Sequence, residues 1–140
     1  MLTTHNLLVP LALMLCLSPA YAFKCKPLAA VDAWHNSSNI FLAEVTDVEV
    51  IQEGNKATND AGERHGHFTV LEQFKGSAKT IPYLRSANHP ICCIGQVKLD
   101  KGDQFYIFTS ASDEPVYVNA CAAAKYRKDH DELLKLKNSH

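Results

Sequence analysis

The 140-residue sequence has no concentrated block of positive charge. Its 14 lysines and arginines are nearly balanced by 15 aspartates and glutamates, and the two signs are interspersed along the chain. Proteins that bind nucleic acid or anionic lipid electrostatically present a basic patch to these partners. The sequence therefore argues against nucleic acid and against a charged membrane surface as partners.

Motifs of catalysis are also missing. The sequence contains no nucleophile elbow, no paired-carboxylate motif and no phosphate-binding loop, so we expect no enzymatic activity and no cofactor. His65 and His67 could place two imidazoles on one strand face, but no third ligand stands at a suitable spacing. A solvated loop end is therefore favoured over a metal site. Cys92 and Cys93 are adjacent and lack the C-x-x-C spacing of thiol oxidoreductases.

The N-terminal apolar stretch, NLLVPLALMLCL, is too short to span a bilayer. A helix-breaking proline and the small-residue pattern that ends at Ala22 follow it, as in a secretory signal peptide. We expect residues 1–22 to be this signal and cleavage to leave one domain, residues 23–140. The mature protein would then be secreted or periplasmic, without insertion into the membrane.

Loss of the signal leaves four cysteines, which are Cys25, Cys92, Cys93 and Cys121. An even number of cysteines in an exported chain favours disulfide bonds, and four cysteines allow three pairings. Cys92 and Cys93 can form a bond with each other, stay reduced, or pair separately with Cys25 and Cys121. The last arrangement is feasible because adjacent side chains of an extended chain point in opposite directions.

The pattern of apolar residues predicts a mainly β domain with a short helix at each end. A first helix follows Pro27, and a final helix follows Asp129. The run NIFLAEVTDVEVI reads as a strand whose alternation changes phase near Thr46 and Asp47, which predicts a β-bulge. Residues 52–66 are polar and read as a long exposed loop.

Four further strands complete the prediction. They are HFTVLEQFKG, TIPYL, the strand centred on Tyr106, and VYVNA, with TIPYL placed at the periphery because Pro82 lacks a backbone donor. Five short strands and few helices in one small domain favour a closed barrel.

Several sequence blocks in a fixed order resemble the netrin-like and tissue-inhibitor-of-metalloproteinase superfamily. These blocks are CKP at 25–27, NIFLAEV at 39–45, FTVLEQFKG at 68–76, CCIG at 92–95, KGDQFYIF at 101–108 and VNAC at 118–121. The resemblance implies a five-stranded OB-fold-type barrel with a short N-terminal helix and a short C-terminal helix.

In the inhibitors of this superfamily, the α-amino group and the carbonyl of the first residue chelate the zinc of a target proteinase. The predicted cut places Phe23 at this position, before Lys24, and Cys25 matches an N-terminal cysteine of the inhibitors. A neutral amine and a carbonyl can fill the open position of a catalytic zinc. The resemblance also implies a disulfide between Cys25 and Cys121, which would close a loop of roughly 100 residues.

Two positions depart from the inhibitors. Phe23 stands in place of their first cysteine, so Cys25 alone would anchor the terminus, and ordering each residue would cost about 1–2 kcal/mol of backbone entropy. Lys24 replaces a smaller side chain that enters the specificity pocket of the proteinase. A long charged side chain at this position implies a different target or no proteinase target.

The resemblance assigns the surrounding contact ridge to Pro27, to the loop from Gln52 to Arg64, and to the corner near Cys92 and Cys93. The leading hypothesis is an exported, non-catalytic protein-binding domain, and its sharpest form is an inhibitor of a zinc metalloproteinase. One alternative is a general interaction or ligand-binding module. Another is a redox or metal-handling protein that uses Cys92 and Cys93.

Overall fold

The computed structural model describes residues 29–91, 95–120, 123–124 and 129–140. In this part of the chain, helices α1 (Ala30–Asn36) and α2 (His130–Asn138) accompany one six-stranded sheet. The strands are β1 (Asn39–Gln52), β2 (Glu63–Lys75), β3 (Leu84–Ser86), β4 (Gln104–Thr109), β5 (Val116–Tyr117) and β6 (Ala123–Ala124). The mainly β class and the two short helices are confirmed. The described sheet has six strands where five were expected, because a second short strand, β6, follows β5.

β1 is the central strand and pairs antiparallel with β2 on one side and β4 on the other. Its inward residues Phe41, Ala43 and Val45 are buried, as the alternation predicts. The register with β2 then skips Thr46. The bulge predicted from the phase change is therefore confirmed, and it separates the buried half of β1 from an exposed half.

The third strand differs from its prediction. It begins at Leu84, after Pro82, and lies between β2 and β5 rather than at the periphery. Proline cannot donate to a strand ladder, so regular pairing starts only beyond it. β3 then pairs antiparallel with β2 and parallel with β5.

Strands β5 and β6 form opposite edges of the sheet although they are close in sequence. Six strands about 4.8 Å apart span roughly 24 Å when flat. Val118 still donates to the carbonyl of Arg85 on the β3 side, and Ala123 already pairs with Ile107 of β4. Ala123 is five residues after Val118, and an extended chain of five residues spans at most about 17 Å. The sheet must therefore curl, and it forms a half-barrel.

Apolar side chains form two clusters, one inside the curled sheet and one beneath the helices. The inner cluster consists of Phe41, Ala43, Val45, Ala78, Ile81, Leu84, Leu99, Phe105, Ile107, Val116, Val118 and Ala123. The outer cluster consists of Ala30, Trp34, Ile40, Phe74, Tyr106 and Leu133. Neither α1 nor α2 is long and apolar enough to cross a membrane.

Candidate functional site

The structure describes two parts of the predicted contact ridge, which are the β1–β2 loop and the residues before the cysteine corner. The loop is shorter than predicted and covers residues 53–62, because β2 already begins at Glu63. The predicted terminal and cysteine residues lie outside the described residues. These are Phe23, Lys24, Cys25, Pro27, Cys92, Cys93 and Cys121.

The β1–β2 loop is held in shape by its own backbone and short side chains. Asn55 and Asp60 form an isolated bridge, and the Asn55 Oδ1 atom accepts a hydrogen bond of 2.9 Å from the backbone N–H of Ala57. Gly54 has a φ of +74°, and an added Cβ atom would lie 2.5 Å from the Asp60 carbonyl oxygen. Only glycine fits this position. The exposed tip, Lys56–Thr58, is therefore presented on a preformed support.

The loop is fastened to the segment that precedes the cysteine corner. The carbonyl oxygen of Ala61 accepts hydrogen bonds from the backbone N–H groups of Asn88, at 3.0 Å, and His89, at 2.7 Å. The Asn88 Nδ2 atom donates to the carbonyl oxygen of Glu53 at 2.7 Å. Asn88 is buried, so these bonds are shielded from water. Two parts of the predicted ridge thus meet at one end of the sheet, which we call the rim.

Arg64 connects the rim to the rest of the half-barrel. Its Nε and Nη2 atoms donate to the Asn88 Oδ1 atom at 3.0 and 2.7 Å. Its Nη1 atom donates to the Leu99 carbonyl oxygen at 2.7 Å and to the Asp100 Oδ1 atom at 2.9 Å. The planar guanidinium holds several acceptors in fixed directions, and the side chain is only 11% exposed. Arg64 therefore fixes the position of the loop support.

The residues that flank the cysteines also meet near this end. The backbone N–H of Ile91 donates to the Gln96 Oε1 atom at 2.9 Å, across the corner that contains Cys92 and Cys93. The backbone N–H of Ala120 donates to the Gly95 carbonyl oxygen at 2.8 Å. Described residues from the two cysteine-bearing segments thus contact each other: Gly95 follows Cys92 and Cys93 in the sequence, and Ala120 precedes Cys121.

A second polar cluster lies on the outer face of β2 and β3. The Arg85 Nε and Nη2 atoms donate to the two carboxylate oxygens of Glu63 at 2.8 and 2.9 Å. The His65 Nε2 atom lies 2.6 Å from the Glu63 Oε1 atom, and its ring stacks on Tyr83 with centroids 4.1 Å apart. The hydrogen bonds from Arg85, followed by that with His65, lower the pKa of Glu63 to about 2.

This outer cluster corrects the prediction that the two histidines end a solvated loop. His65 and His67 both lie within β2, and only His67 is exposed. The described residues contain no group of three histidine, cysteine, aspartate or glutamate side chains that could hold a metal ion. The alternation of residues 63–66 is the sequence signal that could have predicted this cluster. In a strand it places Glu63 and His65 on one face and Arg64 on the other.

Comparisons with known proteins do not assign the chain to a family, because no protein-family model and no curated protein matches its sequence.

Proposed function

We propose that this chain is an exported, non-catalytic domain that binds a protein through the rim, and that its barrel is of the OB-fold type. The observation that carries the proposal is the double hydrogen bond from Asn88 and His89 to the Ala61 carbonyl. This contact joins the β1–β2 loop to the segment before the cysteine corner, two parts of the chain that are far apart in sequence.

The strand pairings support the barrel type. β5 and β6 lie at opposite edges of the sheet, and only residues 118–122 separate them in the sequence. β5 pairs in parallel with β3, and β6 pairs antiparallel with β4. This short connection brings the two edges of the sheet close together, as closure of a small barrel requires.

The rigidity of the rim supports binding of a protein. Ordering a loop during association costs free energy, which a preformed loop avoids. Here the loop is stabilised by the Asn55–Asp60 bridge, by glycine geometry and by Asn88 before any partner arrives. Its tip residue Lys56 is exposed and available for contact.

Proteinase inhibition through Phe23 is the sharpest form of the proposal. The resemblance implies a disulfide between Cys25 and Cys121, and the described residues before Cys121 contact the corner at Gly95 and Gln96. A disulfide at Cys121 would therefore bring the segment of Phe23 and Lys24 towards the rim. The α-amino group of Phe23 could then bind a catalytic zinc.

The amine can be tested directly with two forms of the mature protein. One begins at Phe23 and the other carries a single additional alanine before Phe23. We expect the first form to inhibit at least one member of a panel of zinc proteinases and the second to lose potency, because the extra residue displaces the amine from the zinc. Equal potency, or no inhibition by either form, would contradict the inhibitor mechanism.

The rim can be tested separately through its exposed tip. We expect Lys56→Glu to weaken inhibition because it reverses charge at the rim, whereas Lys79→Glu, at an exposed position beyond the far end of β2, should have no effect. Unchanged circular dichroism and thermal midpoints would show that both variants are folded. Equal inhibition by the two variants would remove the loop tip from the binding surface.

A further inference from the structure

β1 has one unpaired edge along its exposed half. On one side β1 pairs with β2 over nearly its whole length, but on the other side its pairing with β4 ends at Glu44. Val45 makes the last backbone bonds on that side, at 2.8 Å to both Gly102 and Asp103. No described residue forms a backbone hydrogen bond with the β4-facing edge of residues 46–52. This segment is named the β1 edge.

Side chains of the β1 edge alternate between acidic and apolar character. Asp47 and Glu49 lie on one face, because they stand opposite His67 and His65 of β2. Val48 and Val50 lie on the other face and stand opposite Gly66 and Arg64, respectively. Asp47, Glu49 and Val50 are exposed, and Val48 is half-buried. The edge thus combines free backbone groups with a two-residue repeat of negative charge and apolar surface.

We propose that the β1 edge binds an extended segment of another protein in which lysine or arginine alternates with a β-branched residue. The segment would add as a strand beside β1, because the unpaired backbone groups provide a template for pairing. Its cations would face Asp47 and Glu49, and its apolar side chains would extend the face of Val48 and Val50. Cross-strand pairs of opposite charge and of β-branched residues stabilise such an arrangement.

The alternative occupant, a second copy of this chain, is disfavoured by charge. Antiparallel pairing of two β1 edges would place Asp47 and Glu49 of one copy beside the same carboxylates of the other. Like charges in cross-strand positions are destabilising. The β1 edge uses other residues than the rim, so the proposal does not depend on the proposed function.

The probe for this site is the acetylated and amidated peptide Lys-Val-Lys-Val-Lys-Val-Lys. We expect it to bind the intact protein and to slow hydrogen exchange at the β4-facing amides of residues 46–52, whereas the β2-facing amides are already paired. The peptide Glu-Val-Glu-Val-Glu-Val-Glu should bind at least about tenfold more weakly, as expected when several cross-strand charge pairs become repulsive. A protein with Asp47→Lys and Glu49→Lys should reverse this preference, which a merely unfolded variant would not do.

Two controls separate strand addition from nonspecific attraction. A lysine-valine peptide that is N-methylated at every residue keeps its charge but has no backbone donor on either edge, and we expect it not to bind. The Lys56→Glu rim variant should bind the unmodified peptide as well as the original protein does. Three results would each overturn the proposal. They are equal binding of the methylated peptide, protection of the β4-facing amides of residues 46–52 before any peptide is added, and a dimer held by this edge.

Discussion

Arg64 and Arg85 lie on neighbouring strands and both form ion pairs, but their surroundings differ. Arg64 stands opposite Ser86 on the inner face, and its side chain is 11% exposed. Arg85 stands opposite His65 on the outer face, and its side chain is 41% exposed. Arg64 joins the rim to the segment of Leu99 and Asp100, whereas Arg85 mainly pairs with Glu63.

The difference shows that the contribution of an ion pair to stability depends on the acceptors that lose their donor when the cation is removed, and on whether water can reach them. Water can replace Arg85 because its site is open. At Arg64, the side-chain oxygen of Asn88 and the carbonyl oxygen of Leu99 would lose their donor in a buried setting. Buried polar groups without partners are far more costly than lost surface pairs.

The largest expected effect is that of Arg64→Ala. We expect it to lower the free energy of unfolding by about 2–4 kcal/mol, because two shielded acceptors lose their hydrogen bonds. Urea unfolding followed by circular dichroism measures the change. Amide exchange should also accelerate at Asn88 and His89, because the support of the loop is loosened.

Arg64→Lys is the matched control for charge. Lysine keeps the positive charge but cannot donate in several fixed directions as the guanidinium does. We expect it to recover only part of the lost stability. Full recovery would mean that charge alone stabilises the rim, contrary to the geometric role assigned to Arg64.

A smaller effect is expected for Glu63→Gln and should depend on pH. The folded-state pKa of Glu63, about 2, lies below its ordinary value of 4.5. The ionised Glu63 carboxylate therefore contributes its full stabilisation of the fold above about pH 4.5. This contribution is lost as the carboxylate becomes protonated towards pH 2. We expect the free energy of unfolding of the original protein to exceed that of the variant by about 1 kcal/mol at pH 7. The value is small because the pair of Glu63 and Arg85 is partly solvated. A stability difference that stays constant between pH 7 and pH 2 would contradict this assignment.

The smallest effect is expected for Arg85→Ala, which should lower the free energy of unfolding by under about 1 kcal/mol. The loss is small because His65 still contacts Glu63 and water reaches the site. The loss should diminish further when unfolding is measured in 1 M salt, which screens exposed charges. A loss equal to that of Arg64→Ala would remove the distinction between the inner and outer arginines.

Local sequence patterns predicted several elements correctly. The phase change at Thr46 predicted the bulge, and the segments after Pro27 and Asp129 predicted α1 and α2. Each prediction depended on residues close together in the chain, where side-chain alternation and helix-start preferences act. The buried face of Phe41, Ala43 and Val45 followed from the same alternation.

Predictions that depended on distant partners were less accurate. Residues 63–66 read as loop because they are polar, but cross-strand pairing with β1 and β3 makes them part of β2. Glu63 gains Arg85 as a partner from 22 positions away, and Arg64 gains Asp100 from 36 positions away. A local sequence pattern does not reveal which distant residue will form a hydrogen bond or an ion pair with a polar side chain.

By itself, the sequence determined the mainly β class, the two short helices, the bulge at Thr46 and the presence of an exposed polar loop between β1 and β2. These features follow from alternation, helix-start residues and backbone preferences within a few positions. Only the tertiary structure decided which arginine is buried, that the loop meets Asn88 and His89, and that one edge of β1 remains unpaired among the described residues. Each of these depends on which backbone and side-chain groups the curled sheet brings together, and hydrogen bonding and burial are set by proximity in space.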